Sequence, residues 1–101
     1  MPNVYETHEF EQETKKLDKK YQKQIEKLKD QLAVKIHIGK ILRYPFLREK
    51  KIQDKRIYFL IYENLNSVLL VAISSKKTQQ ETIDKIAELL PEFKKLIEKI
   101  T

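Results

Sequence analysis

The chain reads as a small α+β domain in the order β-α-α-β-β-β-α, an antiparallel sheet packed against an N-terminal helical hairpin and a C-terminal helix. Its 101 residues, 41% of them hydrophobic, suit one domain over 1–101 with a modest core. Apolar residues recur by threes and fours on either side of a central segment, Phe46 to Lys77, whose own pattern is that of strands. With this order the helices are expected on one face of the sheet.

Asn3–His8 alternates Val4, Glu6 and His8 against Tyr5 and Thr7, which predicts a short strand. Phe10, Thr14, Leu17, Tyr21, Ile25, Leu28 and Leu32 then follow at helical spacing, close to a heptad. A single helix of about 25 residues would be roughly 37 Å long, too long to lie on so small a sheet. A hairpin broken near Asp18, an acceptable N-cap, is therefore expected. Gly39, the only glycine, suits a stop or turn after these helices. Tyr44-Pro45 favours extended backbone just before the sheet.

The central segment divides into three strands. Phe46–Ile52 carries Arg48, Lys50 and Lys51, and Gln53-Asp54 permits a tight hairpin although neither residue is glycine. Arg56–Tyr62 is β-branched and aromatic almost throughout. After the turn-like Glu63-Asn64-Leu65-Asn66, Val68–Ile73 is apolar at every position, as suits a strand buried on both faces. Thr78-Gln79-Gln80-Glu81 has the form of a capping box and opens a helix with Ile83, Ile86, Ala87 and Leu90 on one face. Pro91 is expected to end or kink that helix. Phe93, Leu96, Ile97 and Ile100 form a further stripe, readable as core or as a docking face.

The net charge of +6 is segregated. Residues 1–39 hold eight lysines against seven acids, and residues 78–101 four lysines against five. Residues 40–77 hold nine basic side chains against Glu49, Asp54 and Glu63, so the whole excess sits on the sheet and the loop before it. Such a footprint points to a polyanion, nucleic acid first. No apolar run approaches the roughly 18–20 residues of a membrane span, and MPNVYETHEF lacks the features of a signal peptide, so a cytoplasmic protein without membrane contact is expected. Cysteine is absent, and His8 and His37 have no partners at ligand spacing, so no metal site is expected.

What remains is Arg and Lys with Tyr58 and Tyr62 interleaved. Such a set can hold phosphates, stack bases and stabilise the charge that builds on a phosphate during strand transfer. Register decides which cations cooperate. A two-residue turn puts Lys51, Arg56, Glu49 and Tyr58 on one face, with Arg48 and Lys50 on the other. One more turn residue would instead group Arg48, Lys50, Arg56 and Tyr58. The shorter turn is preferred, and the cations are expected to line one positively charged groove.

The passage FLREKKIQDKRIYFLIY…VLLVAISSKK, preceded by FEQETKKLDKKYQKQIEKLKDQL and GKILRYPF, resembles the RelE/ParE toxin superfamily over nearly its whole length, especially the archaeal-type members. Its most specific part is the hairpin pattern D-x-R-[IV]-x-[FY], here Asp54-Lys55-Arg56-Ile57-Tyr58-Phe59. The resemblance implies a toxin that enters the ribosomal A site and cuts mRNA, without metal or cofactor, by attack of a 2′-hydroxyl on the adjacent phosphate. It also implies an acidic RelB-like antitoxin wrapped around the toxin. By position it implies catalytic roles for Arg56, Lys51 and Lys77; Arg48, Lys50, Lys76, Tyr58 and Arg43 are the further residues expected to bind RNA. The other basic position of the family's motif falls on Glu49, and either Glu49 or a lysine of lowered pKa is the candidate general base. The family's C-terminal tyrosine has no counterpart, since its place falls near Ile83. Two alternatives stay open: a ParE-like toxin acting on DNA gyrase, and an inactive RelE-like module that binds protein only.

Overall fold

Thr7 fixes where the first strand stops. Its hydroxyl accepts the amide of Phe10 at 3.0 Å, so His8 opens a helix instead of closing a strand, and local capping overrides the alternation. The structure, a computed structural model, describes all 101 residues. It runs β1 (Asn3–Glu6), α1 (His8–Lys15), α2 (Lys19–Leu32), β2 (Lys40–Ile41), β3 (Leu47–Ile52), β4 (Lys55–Tyr62), a 3-10 turn (Glu63–Leu65), β5 (Ser67–Ser75) and α3 (Gln79–Ile100).

The helical hairpin breaks at Asp18 as expected, although Asp18 contributes its carbonyl, to the amides of Tyr21 and Gln22, and not its carboxylate. An unbroken helix of roughly 37 Å would overrun the molecule's longest dimension, 33 Å. The β3–β4 turn has the shorter length: Ile52 pairs Lys55 and Lys51 pairs Arg56, with Gln53 taking the positive φ of 54° that such turns require.

Strand order is β1-β5-β4-β3-β2. β1 runs parallel to β5 and every other pair is antiparallel, so the sheet is mixed and not the antiparallel sheet expected. No hairpin dictates the direction of β1, because the rest of the fold separates it from its partner. β2 is a further strand that the sequence did not announce, pairing Lys40 with Glu49 and Ile41 with Arg48. Gly39 admits it to the sheet. At φ +86° it lies so close that a Cβ would stand 2.9 Å from the Glu49 carbonyl oxygen.

Two cores flank the sheet, which corrects the one-sided arrangement. Phe10, Ile25, Leu28 and Leu32 cover Ile57, Phe59, Val68 and Leu70 on one face. Ile83, Ile86 and Ile97 of α3 cover Leu47, Tyr58, Leu60 and Leu69 on the other. Alternation along β4 and β5 requires this, because both strands are apolar at successive positions. A bulge between Tyr58 and Phe59 doubles Val71 and Ala72 on the α3 side.

α3 departs from expectation at its start. Thr78 sits at φ −105°, ψ 15°, outside the extended conformation of an N-cap, and its side chain caps nothing. Pro91 does not end the helix, which runs unbroken from Gln79 to Ile100. The proline withholds one amide, but Ile83 and Ile86 before it and Ile97 after it are anchored in the core.

Candidate functional site

Lys51, Arg56 and Ser74 lie side by side on β3, β4 and β5. Directly opposed residues share a face, so all three side chains belong to the α3 side. Lys76 and Lys77 follow β5 at the same end of the sheet, and they and Lys51 are exposed and make no ion pair.

Arg56 is different. Its side chain is 14% exposed, and Nη1 donates to Glu49 Oε1 at 3.0 Å. The side-chain amide Nε2 of Gln79, the first residue of α3, donates to the other Glu49 oxygen at 2.6 Å. Both oxygens of this buried carboxylate are therefore engaged, which makes Glu49 a partner of the arginine before it is a base. Arg56 Nε, closed to solvent, has no acceptor. The guanidinium thus has one edge matched by Glu49 and one donor unspent.

Tyr58 is fully buried and its hydroxyl lies 2.8 Å from Ser74 Oγ. Burial pushes its phenol above the ordinary range. Its ring has no free face for a base, which corrects the expected RNA-binding role. The apolar run on both sides of it, Ile57 to Ile61, was the available signal that this position faces a core. Gln79 and Ser74 were missed because neither residue type stands out in sequence. The carboxylate two positions before Lys51, on the face shared with Arg56, could have announced the ion pair.

The remaining cations disperse. Arg48 and Lys50 face the α2 side, as the shorter turn requires. Arg48 donates to the carbonyls of Pro45 (3.0 Å) and Ile38 (3.3 Å), tying down the loop before β3. Lys50 borders a shallow groove with Asp30 and Val34. Arg43 pairs with Asp84 of α3, whose carboxyl this bond holds below the usual range. No groove is lined by Lys51, Arg56 or Lys77: the two lysines stand on open surface, the arginine is largely buried, and the expected concavity is not formed. No three His, Asp or Glu side chains converge. No helix is long and apolar enough to cross a membrane.

A five-stranded mixed sheet between a helical hairpin and one long helix, cationic at one end, defines a small α+β domain. Among solved structures it is similar to the isolated E. coli RelE toxin, at a TM-score of 0.67 and 14% identity, over 85% of this chain and 99% of that one. A RelE mutant in the free state gives 0.69 at 14% identity, over 84% and 97%. The intact E. coli RelBE toxin–antitoxin complex gives 0.66 at 14% identity, over 74% and 96%. No family model and no curated protein matches the chain. The chain has the RelE fold.

Proposed function

We propose that this chain is the toxin of a toxin–antitoxin pair and a metal-independent mRNA endonuclease acting on the ribosome. The reading rests above all on one observation: a RelE fold whose register sets Lys51 beside Arg56, with Lys76 and Lys77 at the same end of the sheet. Lys51 and Lys77 attract the RNA backbone, while Arg56 donates to the scissile phosphate as negative charge builds on its oxygens. The antitoxin is an acidic protein covering the same cations. Lysine lacks the two-pronged geometry of arginine, so orientation falls chiefly to Arg56.

A second reading, a RelE-fold protein that binds without cutting, draws support from the Arg56–Glu49 pair, which already neutralises the central cation. The experiment is controlled expression in a bacterial host with mapping of mRNA ends. Growth arrest with cuts confined to ribosome-bound codons is expected. Lys51→Ala with Lys77→Ala should lose cutting while melting as the parent does, since both side chains are exposed. Arg56→Lys, which keeps the charge and loses the fork, should cut more slowly. Undiminished cutting by the double variant would remove these lysines from the mechanism. Arrest with a DNA-damage response and intact mRNA would transfer the chain to the gyrase-directed branch.

A further inference from the structure

β5 is paired unequally along its two edges. β4 accompanies it from Ser67 to Ser75, whereas β1 follows the other edge only from Ser67 to Leu70. The last rung on that side is the Thr7 amide donating to the Leu70 carbonyl at 3.0 Å, because the chain turns there into α1. Successive strand residues direct their amides and carbonyls to alternate neighbours, so part of the backbone of Val71–Ser75 faces no strand. An edge of this kind is a template for another chain unless it is covered.

What lies against it is a groove of about 660 Å³ between α1 and α3, floored by Val71, Ala72 and Ile73. The α3 wall presents Leu89, Phe93 and Leu96 at helical spacing. Two of these belong to the stripe that the sequence left open between core and docking face, and Leu96 is 36% exposed while Ile97 is fully buried. Around this apolar trough stand Glu9 and Glu13 of α1 and Glu81 and Glu92 of α3, against Lys85 alone. The rim is thus acidic on a protein whose net charge is +6.

We infer that this groove receives an extended segment of a partner protein, alternately apolar and basic, which adds to the sheet as a strand along Val71–Ser75. Main-chain bonds to the unpaired edge supply affinity, and alternate side chains reach the apolar wall and the carboxylates. An acidic segment is repelled by this rim and suits the cationic end of the sheet, so the two surfaces sort partner segments by charge. None of Lys51, Arg56 or Lys77 lines the groove, and the inference stands apart from the toxin reading.

The test uses the full chain and a labelled peptide of about eight residues alternating valine with lysine, matched to an ordinary strand length, with a valine–glutamate peptide as counterpart. Fluorescence anisotropy should show binding of the lysine peptide and not of the glutamate one. Glu9→Lys with Glu13→Lys, both on the exposed face of α1, should weaken the lysine peptide by about tenfold or more and favour the glutamate peptide. N-methylation of alternate peptide amides should abolish binding, and hydrogen exchange should slow at Val71–Ser75. Several results would overturn the inference: no binding of the lysine peptide at millimolar concentration, equal affinity for both peptides, or binding that survives N-methylation. Protection confined to the outer edges of β1 or β2, or a bound peptide that is helical by circular dichroism, would overturn it equally.

Discussion

Beneath α1 and α2 the sheet is covered by hydrocarbon, with Phe10, Ile25 and Leu28 against Ile57, Phe59 and Leu70. Beneath α3 the apolar contact of Leu47, Leu60, Ile83 and Ile86 gives way, at one end, to Glu49, Arg56, Tyr58, Ser74 and Gln79 held by hydrogen bonds. Burying a charge pair is worth no more than burying hydrocarbon of the same shape, and often less, whereas breaking such a pair is costly. The first face therefore holds the fold. The second gives up packing freedom to hold a guanidinium in one place.

The largest effect expected from breaking that contrast lies on the apolar face. Phe59→Ala should cost about 3–5 kcal/mol, read as a loss in urea-unfolding free energy, since the ring is fully buried in a site that collapses only partly. Glu49→Ala should cost about 3 kcal/mol by leaving Arg56 buried and unmatched, while Glu49→Leu with Arg56→Met should recover most of it. If the single variant proved neutral in the same assay, the pair would be ornamental and the two faces alike. Thr7→Ala, which uncaps α1, should cost about 1 kcal/mol.

The smallest effect belongs to alkaline pH. Burial, with a contribution from Glu98, pushes the Tyr62 phenol from 10.0 to about 12. A raised pKa means that the folded state holds the proton longer than the unfolded chain does. The stabilisation is complete below pH 10 and lost as pH rises toward about 12. Tyr62→Phe should flatten the fall in melting temperature over that interval relative to the parent. An unchanged slope would show the phenol to be solvated.

Local chemistry made much of the molecule legible. The break at Asp18, the two-residue turn at Gln53-Asp54 and the doubly buried β5 follow from spacing, turn length and unbroken apolarity. Decisions between competing local signals were harder. Thr7 could end a strand or cap a helix, and Thr78 could cap or merely precede one. Pro91 breaks a helix only where nothing holds its two halves to a common surface. Least legible was everything set by approach in space: the parallel pairing of β1, the covering of both faces, and the Gln79 side chain that closes on Glu49. A strand's sequence names two faces without saying which helix covers each, so Tyr58 could be read as a stacking platform when it is a core residue.

The doubled pair Val71 and Ala72 has a consequence for how this chain can change over generations. Removing one residue from a regular strand turns every later side chain inside out. Here the surplus position absorbs such a loss: a lineage that dropped Val71 would return β5 to simple alternation, with Ile73 and Ser74 still on their present sides. The bulge is therefore a slack link, where inheritance can shorten the chain without rewriting the rest of the sheet.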